Sequence, residues 1–374
     1  MPQTARCYVE ISRSRIASNY RAACAAAGSG AQVMGVVKAD AYGHGAVEVS
    51  RILAGEGARW LAVSSVEEGI TLRRAGIDCR VLVMAGVMPW EREAVREFRL
   101  TPTLHSVDEI GLFRKEGTTE PLDIHLKLDT GMNRLGTHAT ASEIAAALIA
   151  ASGVRLEGLM SHFASAADFT SIQTDDQIRR FNDVVVALAE LGIRPPLTHC
   201  ASTNAIAYAR SGAAHPLVRP GHAIYGYVSP ARGNAPACAL RVTPALSWKT
   251  RIVTVKDLPT GARVGYGGSF VAAAPMRIAV LAAGYADGIP HRLSNKGKVI
   301  AGGHFAPILG TVSMDLTTID ITASPQLRPG DEVTLLGREG ELSLDAQQIA
   351  RTAGTISYNV LCGISARVRR FYVD

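Results

Sequence analysis

The chain has 374 residues, 47% of them hydrophobic and 19% charged, with a formal net charge of +6. That length holds two domains or one large barrel with a smaller companion, and a charged fraction below the roughly 25% of an average globular protein excludes a disordered, tail-like chain. The basic balance comes without a Lys/Arg run or an aromatic-interleaved basic motif, so it points to anionic small ligands and away from nucleic acid.

In chain order, CYVEI (7–11) reads as a short strand. Eight further strands follow as apolar runs at 33–38, 60–65, 81–85, 101–104, 123–129, 156–162, 197–202 and 217–226. Amphipathic stretches separate them, several opening on Ser, Thr or Asp and closing on Gly as capped helices do. Eight strands alternating with helices is the pattern of a (β/α)8 TIM-type barrel; a doubly wound open sheet gives a similar alternation. Near residue 236 the texture changes to β-branched alternation with Gly/Pro turns, the signature of a mostly β C-terminal domain. The expected organisation is a barrel over 12–235 and a mostly β domain from 1–11 and 236–374. In that second domain only LDAQQIARTAG (344–354) reads as helix.

The six cysteines are irregularly spaced and form no C-x-x-C pair, which reads as free thiols with no disulfide framework and no metal site. The N-terminal segment lacks an apolar signal core, and no uncharged apolar run is long enough to span a membrane. The expected location is the cytoplasm.

Chemistry-bearing residues gather at the expected C-terminal ends of the barrel strands, where barrel enzymes place their active sites. VVKADAYGHG (36–45) ends a strand in Lys38, followed by Tyr42. A lysine held there by apolar neighbours can lose its proton and form a Schiff base, although a lone strand-end lysine is more often merely solvated. HLKLDTGMNRLG (125–136) carries Lys127, Asp129 and, beyond Gly131, Arg134, an arginine able to grip a carboxylate bidentately. Two cations in one pocket repel unless something intervenes. His162, His199 and Arg219 lie on the same rim. The hydroxyls of Ser202 and Thr203 and the backbone around Gly221 and His222 could hold a phosphate. In the second domain, Tyr266 sits in a Gly-flanked turn, and GYADG and SMD supply Tyr285, Met314 and Asp315. Each signal alone also fits an ordinary packing role.

Taken together, VVKADAYGHG, DTGMNRLG, VRPG, GYADG, SMD and ISYNVLCGIS follow one another with spacing that resembles the alanine racemase family from Lys38 to Tyr358. The resemblance implies a pyridoxal 5′-phosphate (PLP) enzyme interconverting L- and D-alanine and supplying D-alanine for peptidoglycan; a broad-specificity or serine racemase is the alternative on the same scaffold. Lys38 would carry the cofactor and act as the base on one face, with Tyr266 the base on the other. Tyr42, Tyr358, Ser202, Thr203 and the backbone of Gly221 and His222 would serve the phosphate. His162 would pack beside the pyridine ring and Arg219 would face its nitrogen. Arg134 would pair with the substrate carboxylate or with Tyr266, and Met314, Tyr285 and Asp315 would border the substrate entrance. Lys127 is similar to the family's carbamylated lysine, which would turn a repelling cation into an anion beside Arg134. Tyr266 and Met314 would enter the site from the partner subunit of a homodimer. The sequence departs from the family in having Ser202-Thr203 where Asn-Ser is usual, and His222 where an aliphatic residue is usual.

Two bases suit racemisation because a proton must leave one face and return on the other, and a single base would have to cross the plane. Free lysine and tyrosine have pKa values near 10, so bringing either to about 7 requires roughly 4 kcal/mol of differential interaction. Desolvation lowers a lysine but raises a tyrosine, so Tyr266 requires a cation nearby.

Overall fold

The computed structural model describes residues 4–116, 120–210, 212–213 and 215–374. Two compact units divide the chain. One comprises the N-terminal residues up to Arg15, the stretch Tyr42–Gly45 and Pro244–Asp374; the other comprises Ile16–Ala41 and Ala46–Thr243.

The second of these is an eight-stranded parallel barrel. Its strands are Gln32–Val36, Trp60–Val63, Arg80–Val83, Thr101–Leu104, Leu122–Lys127, Val154–Met160, Leu197–His199 and Leu217–Val218. They pair in sequence order, and the first also pairs with the last. Trp60–Val63 and Thr101–Leu104 are buried at every position, as expected where a parallel sheet is covered on both faces. The remaining seam, between the seventh and eighth strands, closes just past their ends through a parallel bridge Ser202↔Arg219. There the Arg219 N–H donates to the Ala201 carbonyl at 2.9 Å. Helices pack outside and start where the sequence marks them. Ser65 caps Val66–Arg74, and Thr140 with Glu143 forms a capping box ahead of Ala141–Ala150.

All eight expected strands are present, but most stop short of the apolar runs that announced them. The first ends at Val36 rather than at 38, the fifth at Lys127 rather than 129, and the seventh at His199 rather than 202. The overshooting residues have left the sheet for the loops of the barrel mouth, which are the loops that carry site residues.

The first unit is built on a nine-stranded sheet. Its axis is the 13-residue strand Leu246–Leu258, antiparallel to Cys7–Ser12, Met276–Leu281 and Glu332–Glu339. Cys7–Ser12 also pairs in parallel with Arg369–Val373, so the opening strand of the chain belongs to the sheet of its closing third. Helix Ala346–Ala353 is opened by an Asp345–Gln348 capping box and closed by left-handed Gly354 (φ 64°). A second short helix, Ser357–Cys362, follows; the sequence reading did not anticipate it. Among the described residues, no helix is long and apolar enough to cross a membrane.

Candidate active site

Lys38 begins an unusual piece of chain. Ala39, Asp40, Ala41 and Tyr42 all have φ between 50° and 54°, a full left-handed turn of non-glycine residues, each costing about 1–2 kcal/mol. Two carboxylates hold it, Glu68 from elsewhere in the barrel unit and Asp40 of the turn itself. Glu68 accepts the Ala39 N–H at 2.7 Å, and the Asp40 carboxylate accepts the Ala46 N–H at 2.7 Å. Strain of this kind collects where a backbone must present a particular side chain; here it follows directly on Lys38.

The Lys127 loop is organised by Asp129, whose Oδ1 accepts the backbone N–H groups of Gly131, Met132 and Asn133 at 2.9–3.0 Å. Backbone pairing of Asp129 with Thr137 and of Thr137 with Lys127 closes the loop. Gly136 (φ 118°) is required at that crossing, because a Cβ there would lie 2.7 Å from the Asp129 nitrogen. Arg134 is thereby held on an exposed tip. Asp129 is committed to the backbone, so it does little to neutralise Lys127, whose side chain is buried. Burial first, then the charges of Arg134, Arg219 and Lys38, press the Lys127 amine down to about 8. The same four cations act on His162. Its imidazole is held down to about 3, chiefly by burial and then by Arg219, Lys127, Arg134 and Lys38. The barrel mouth thus combines four cations with a neutral histidine.

Arg219 is only 3% exposed. Its Nη1 reaches His199 Nδ1 at 2.6 Å and the His199 carbonyl at 2.8 Å; its Nη2 reaches the Ser161 carbonyl at 2.6 Å, the Cys200 carbonyl at 3.3 Å and His162 Nδ1 at 3.4 Å. That occupies four of the five guanidinium N–H groups. The fifth, on Nε, has no partner among the described residues. Beside it, Thr203 Oγ1 accepts from the Gly221 and Ala223 N–H groups, each at 3.2 Å. Ser202 stands at the N-cap of Thr203–Ala207 but makes no side-chain cap bond, which leaves its hydroxyl free of that duty. The His222 ring is buried and stacks on Tyr227 with centroids 5.1 Å apart, so only its backbone can serve a ligand at the rim.

The structure brings Lys38, Lys127, Arg134, His162, Ser202, Thr203, Arg219 and Gly221 together on the barrel unit. Asp129, His199 and His222 also belong to the barrel unit, while Tyr42, Tyr266, Tyr285, Met314, Asp315 and Tyr358 lie on the β unit. There, Tyr42 and Tyr358 face each other with ring centroids 5.8 Å apart, and burial with Tyr358 beside it pushes the Tyr42 phenol up. Tyr266 is 77% exposed in a turn bounded by Gly265, Gly267 and Gly268, all at positive φ. The Thr311 hydroxyl anchors this turn by donating to the Tyr266 carbonyl at 3.2 Å. Tyr285 and Met314 are also exposed. The Asp315 carboxylate pairs with Arg367 at 2.7 Å, and Arg367 in turn clamps Asp287. The sequence reading overlooked His105, a half-buried ring that burial and then Lys127 hold down to about 4 and whose two nitrogens have no hydrogen-bond partner among the described residues. Its place directly after strand Thr101–Leu104 was the available signal.

These features define a (β/α)8-barrel enzyme whose rim is built for an anionic ligand. Comparison with known proteins makes the class specific. The family description "Alanine racemase, N-terminal domain" matches residues 11–230, and "Alanine racemase, C-terminal domain" matches 245–372. The alanine racemase of Carboxydothermus hydrogenoformans is 40% identical over 370 residues, covering 98% of this chain and 99% of the relative. That of Halothermothrix orenii is 38% identical over 369 residues, 98% and 96% of the two chains. Among solved structures, alanine racemase from the D-cycloserine producer Streptomyces lavendulae superposes with a TM-score of 0.91 at 31% identity, over 99% of this chain and 97% of that one. Alanine racemase from Bacillus anthracis with bound L-Ala-P gives 0.89 at 32% identity, over 99% and 95%. The chain belongs to the alanine racemase family.

Proposed function

We propose that the protein interconverts L- and D-alanine with PLP as cofactor, Lys38 and Tyr266 as the two proton-transfer groups, and a homodimer as the working form. The observation that carries this reading is the mouth of the barrel: four cations, a neutral His162 and a buried Arg219 with one N–H left to give. That set suits a ligand with an anionic phosphate, an anionic carboxylate and a basic ring nitrogen. The residues therefore fit PLP with an amino acid.

Lys38 would hold the cofactor. The hydroxyls of Tyr42, Tyr358, Ser202 and Thr203 and the backbone at Gly221 and His222 would bind its phosphate. His162, neutral, would lie against the ring without competing for negative charge. Arg219 would donate to the ring nitrogen and, being unable to surrender its proton readily, would leave that nitrogen unprotonated. When bound, PLP supplies the electron sink that makes the substrate's α-carbon acidic.

The remaining work belongs to side chains. Lys38 takes the α-proton of the D-enantiomer at Nζ, and Tyr266 takes that of the L-enantiomer at its phenol oxygen. Arg134 orients the substrate carboxylate. A carbamate on Lys127 would reverse the sign of a buried cation that stands among Arg134, Arg219 and Lys38. Met314, Tyr285 and Asp315 would border the entrance. The exposure of Tyr266, Tyr285 and Met314 supports their completing a site in a second copy of the chain. A cytoplasmic location and delivery of D-alanine to cell-wall synthesis follow from the same reading.

The test is borohydride treatment of PLP-loaded protein, peptide mapping, and a panel of amino acids. Fixation of the cofactor at Lys38 with alanine the preferred substrate is expected. Fixation elsewhere would sink the residue assignment, and serine turnover equal to or above that of alanine would replace the substrate assignment.

A further inference from the structure

Behind Arg219 a line of buried polar groups runs across the barrel interior, none of which the chemistry above uses. His199 Nδ1 receives Arg219, and His199 Nε2 lies 2.8 Å from His125 Nδ1. His125 Nε2 faces a Glu157 carboxylate oxygen at 3.6 Å, an ionic contact beyond hydrogen-bond distance, and Arg80 grips both oxygens of Glu157 from the far side. Both histidines are fully buried and Glu157 is 7% exposed. The far end reaches the opposite mouth of the barrel, where Arg80 and Asp123 line a cavity of about 630 Å³.

The direction of this line is fixed by one fact: arginine can only donate. His199 Nδ1 must therefore accept from Arg219, which puts the proton of a neutral His199 on Nε2. His125 Nδ1 must accept that proton's hydrogen bond, so the His125 proton also sits on Nε2, aimed at Glu157. With both Nδ1 atoms accepting, neither ring holds a second proton; burial pushes both imidazoles down as well, Arg219 adding to it at His199 and Glu157 opposing it at His125 without outweighing it. Burial works to raise the Glu157 carboxyl, but His125 and Arg80 outweigh it and keep the group ionised. The surroundings are shaped for the rings. Gly158 is the cross-strand partner of His125, and a Cβ there would lie 2.5 Å from the imidazole. Trp60 packs on the other side, with ring centroids 5.4 Å apart, beneath the Arg80 guanidinium.

We propose that His199, His125 and Glu157 are positioning residues for Arg219: a one-way relay of two hydrogen-bonded imidazoles, ended by the charge of Glu157, that fixes its guanidinium with Nε–H as the donor left to the site. Both ring dipoles point their lone-pair ends toward Arg219, which stabilises a cation otherwise costly to bury. The compensating carboxylate stands two imidazoles away. It stabilises the charge without placing a proton acceptor beside the reacting atoms. The role of Nε toward the ring nitrogen rests on the function proposed above; the orientation of the relay does not.

The first test therefore uses cofactor-free protein. With ¹⁵N-labelled histidine, His125 and His199 are each expected to be neutral Nε2–H tautomers between pH 6 and 9. Finding an Nδ1–H tautomer or an imidazolium at either ring overturns the relay. The second test uses PLP-loaded variants. Glu157→Leu removes the terminal carboxylate and is expected to lower kcat by about 10- to 100-fold with KM little changed, and to shift the visible absorption of the bound cofactor. Glu157→Gln, which keeps an acceptor, is expected to recover most of both. A folded Glu157→Leu protein with wild-type kcat, absorption and tautomers overturns the proposal. If that variant does not fold, the wild-type tautomers alone decide it.

Discussion

In the barrel unit, Arg219 is 3% exposed and four of its five N–H groups are already engaged. In the β unit, Tyr266 is 77% exposed on a turn of three left-handed glycines. The barrel spends buried hydrogen bonds and a strained backbone to orient its groups before any ligand arrives, the preorganisation that makes electrostatic stabilisation effective. The β unit fixes the backbone of its turn through Thr311 but leaves the phenol to be surrounded by something else. An assembly in which one chain's barrel meets another chain's Tyr266 turn accounts for both halves, and it can be broken experimentally.

The largest effect is expected from Tyr266→Phe. If the phenol is the base on one face only, L-to-D turnover falls by about 10²- to 10⁴-fold, while α-proton exchange on D-alanine, served by Lys38, is far less affected. Deuterium washout from each enantiomer measures the two separately, and equal losses defeat the two-base assignment. A smaller effect follows from mixing. Lys38→Ala and Tyr266→Phe proteins, each inactive alone, are unfolded and refolded together. If each site takes Lys38 from one chain and Tyr266 from the other, half the dimers are mixed and one of their two sites is intact, so about a quarter of wild-type activity returns. No recovery in a mixture shown by mass to contain mixed dimers would mean that both residues serve from the same chain.

The contrast between the units also explains what the sequence disclosed. Strand Trp60–Val63 lies within its apolar run, because burial on both faces leaves a continuous hydrophobic signature. The rim residues were visible as motifs because they interrupt such runs. The left-handed turn after Lys38 was not visible. Ala-Asp-Ala-Tyr contains no glycine to announce positive φ, and the partners that hold the turn, such as Glu68, lie far along the chain. Helix Ser357–Cys362 is six residues long, too short to display a period. The relay carried a faint signal: His125 and Glu157 sit inside stretches that a doubly covered parallel strand should fill with apolar side chains. A buried polar group needs a partner, but sequence could not say that His125 would find His199, because that contact depends on strand register around the barrel.

Lys127 provides the finest test, one confined to the barrel mouth. Its amine is at about 8 in the folded protein, against about 10.4 for an ordinary lysine. Between those values the unfolded chain holds a proton that the folded chain lacks, so this group makes stability rise with pH across that window; below about 8 the full penalty for the buried cation applies. Lys127→Met removes the charge and keeps most of the stem. Allowing for screening by solvent at the mouth, the variant is expected to be more stable than wild type at pH 7 by about 2 kcal/mol, with the gap closing toward pH 10.5. Chemical denaturation of cofactor-free protein in bicarbonate-free buffer measures the difference, which cancels the titration of other lysines. A gap that stays constant from pH 7 to 10.5 means the Lys127 amine is not pressed by Arg134 and Arg219. Bicarbonate adds a second reading. Carbamylation converts the offending cation into an anion beside Arg134, so added bicarbonate is expected to stabilise wild type at pH 8 and leave Lys127→Met unmoved. A protein whose barrel mouth is short of one negative charge should accept it wherever a neutral amine offers the place.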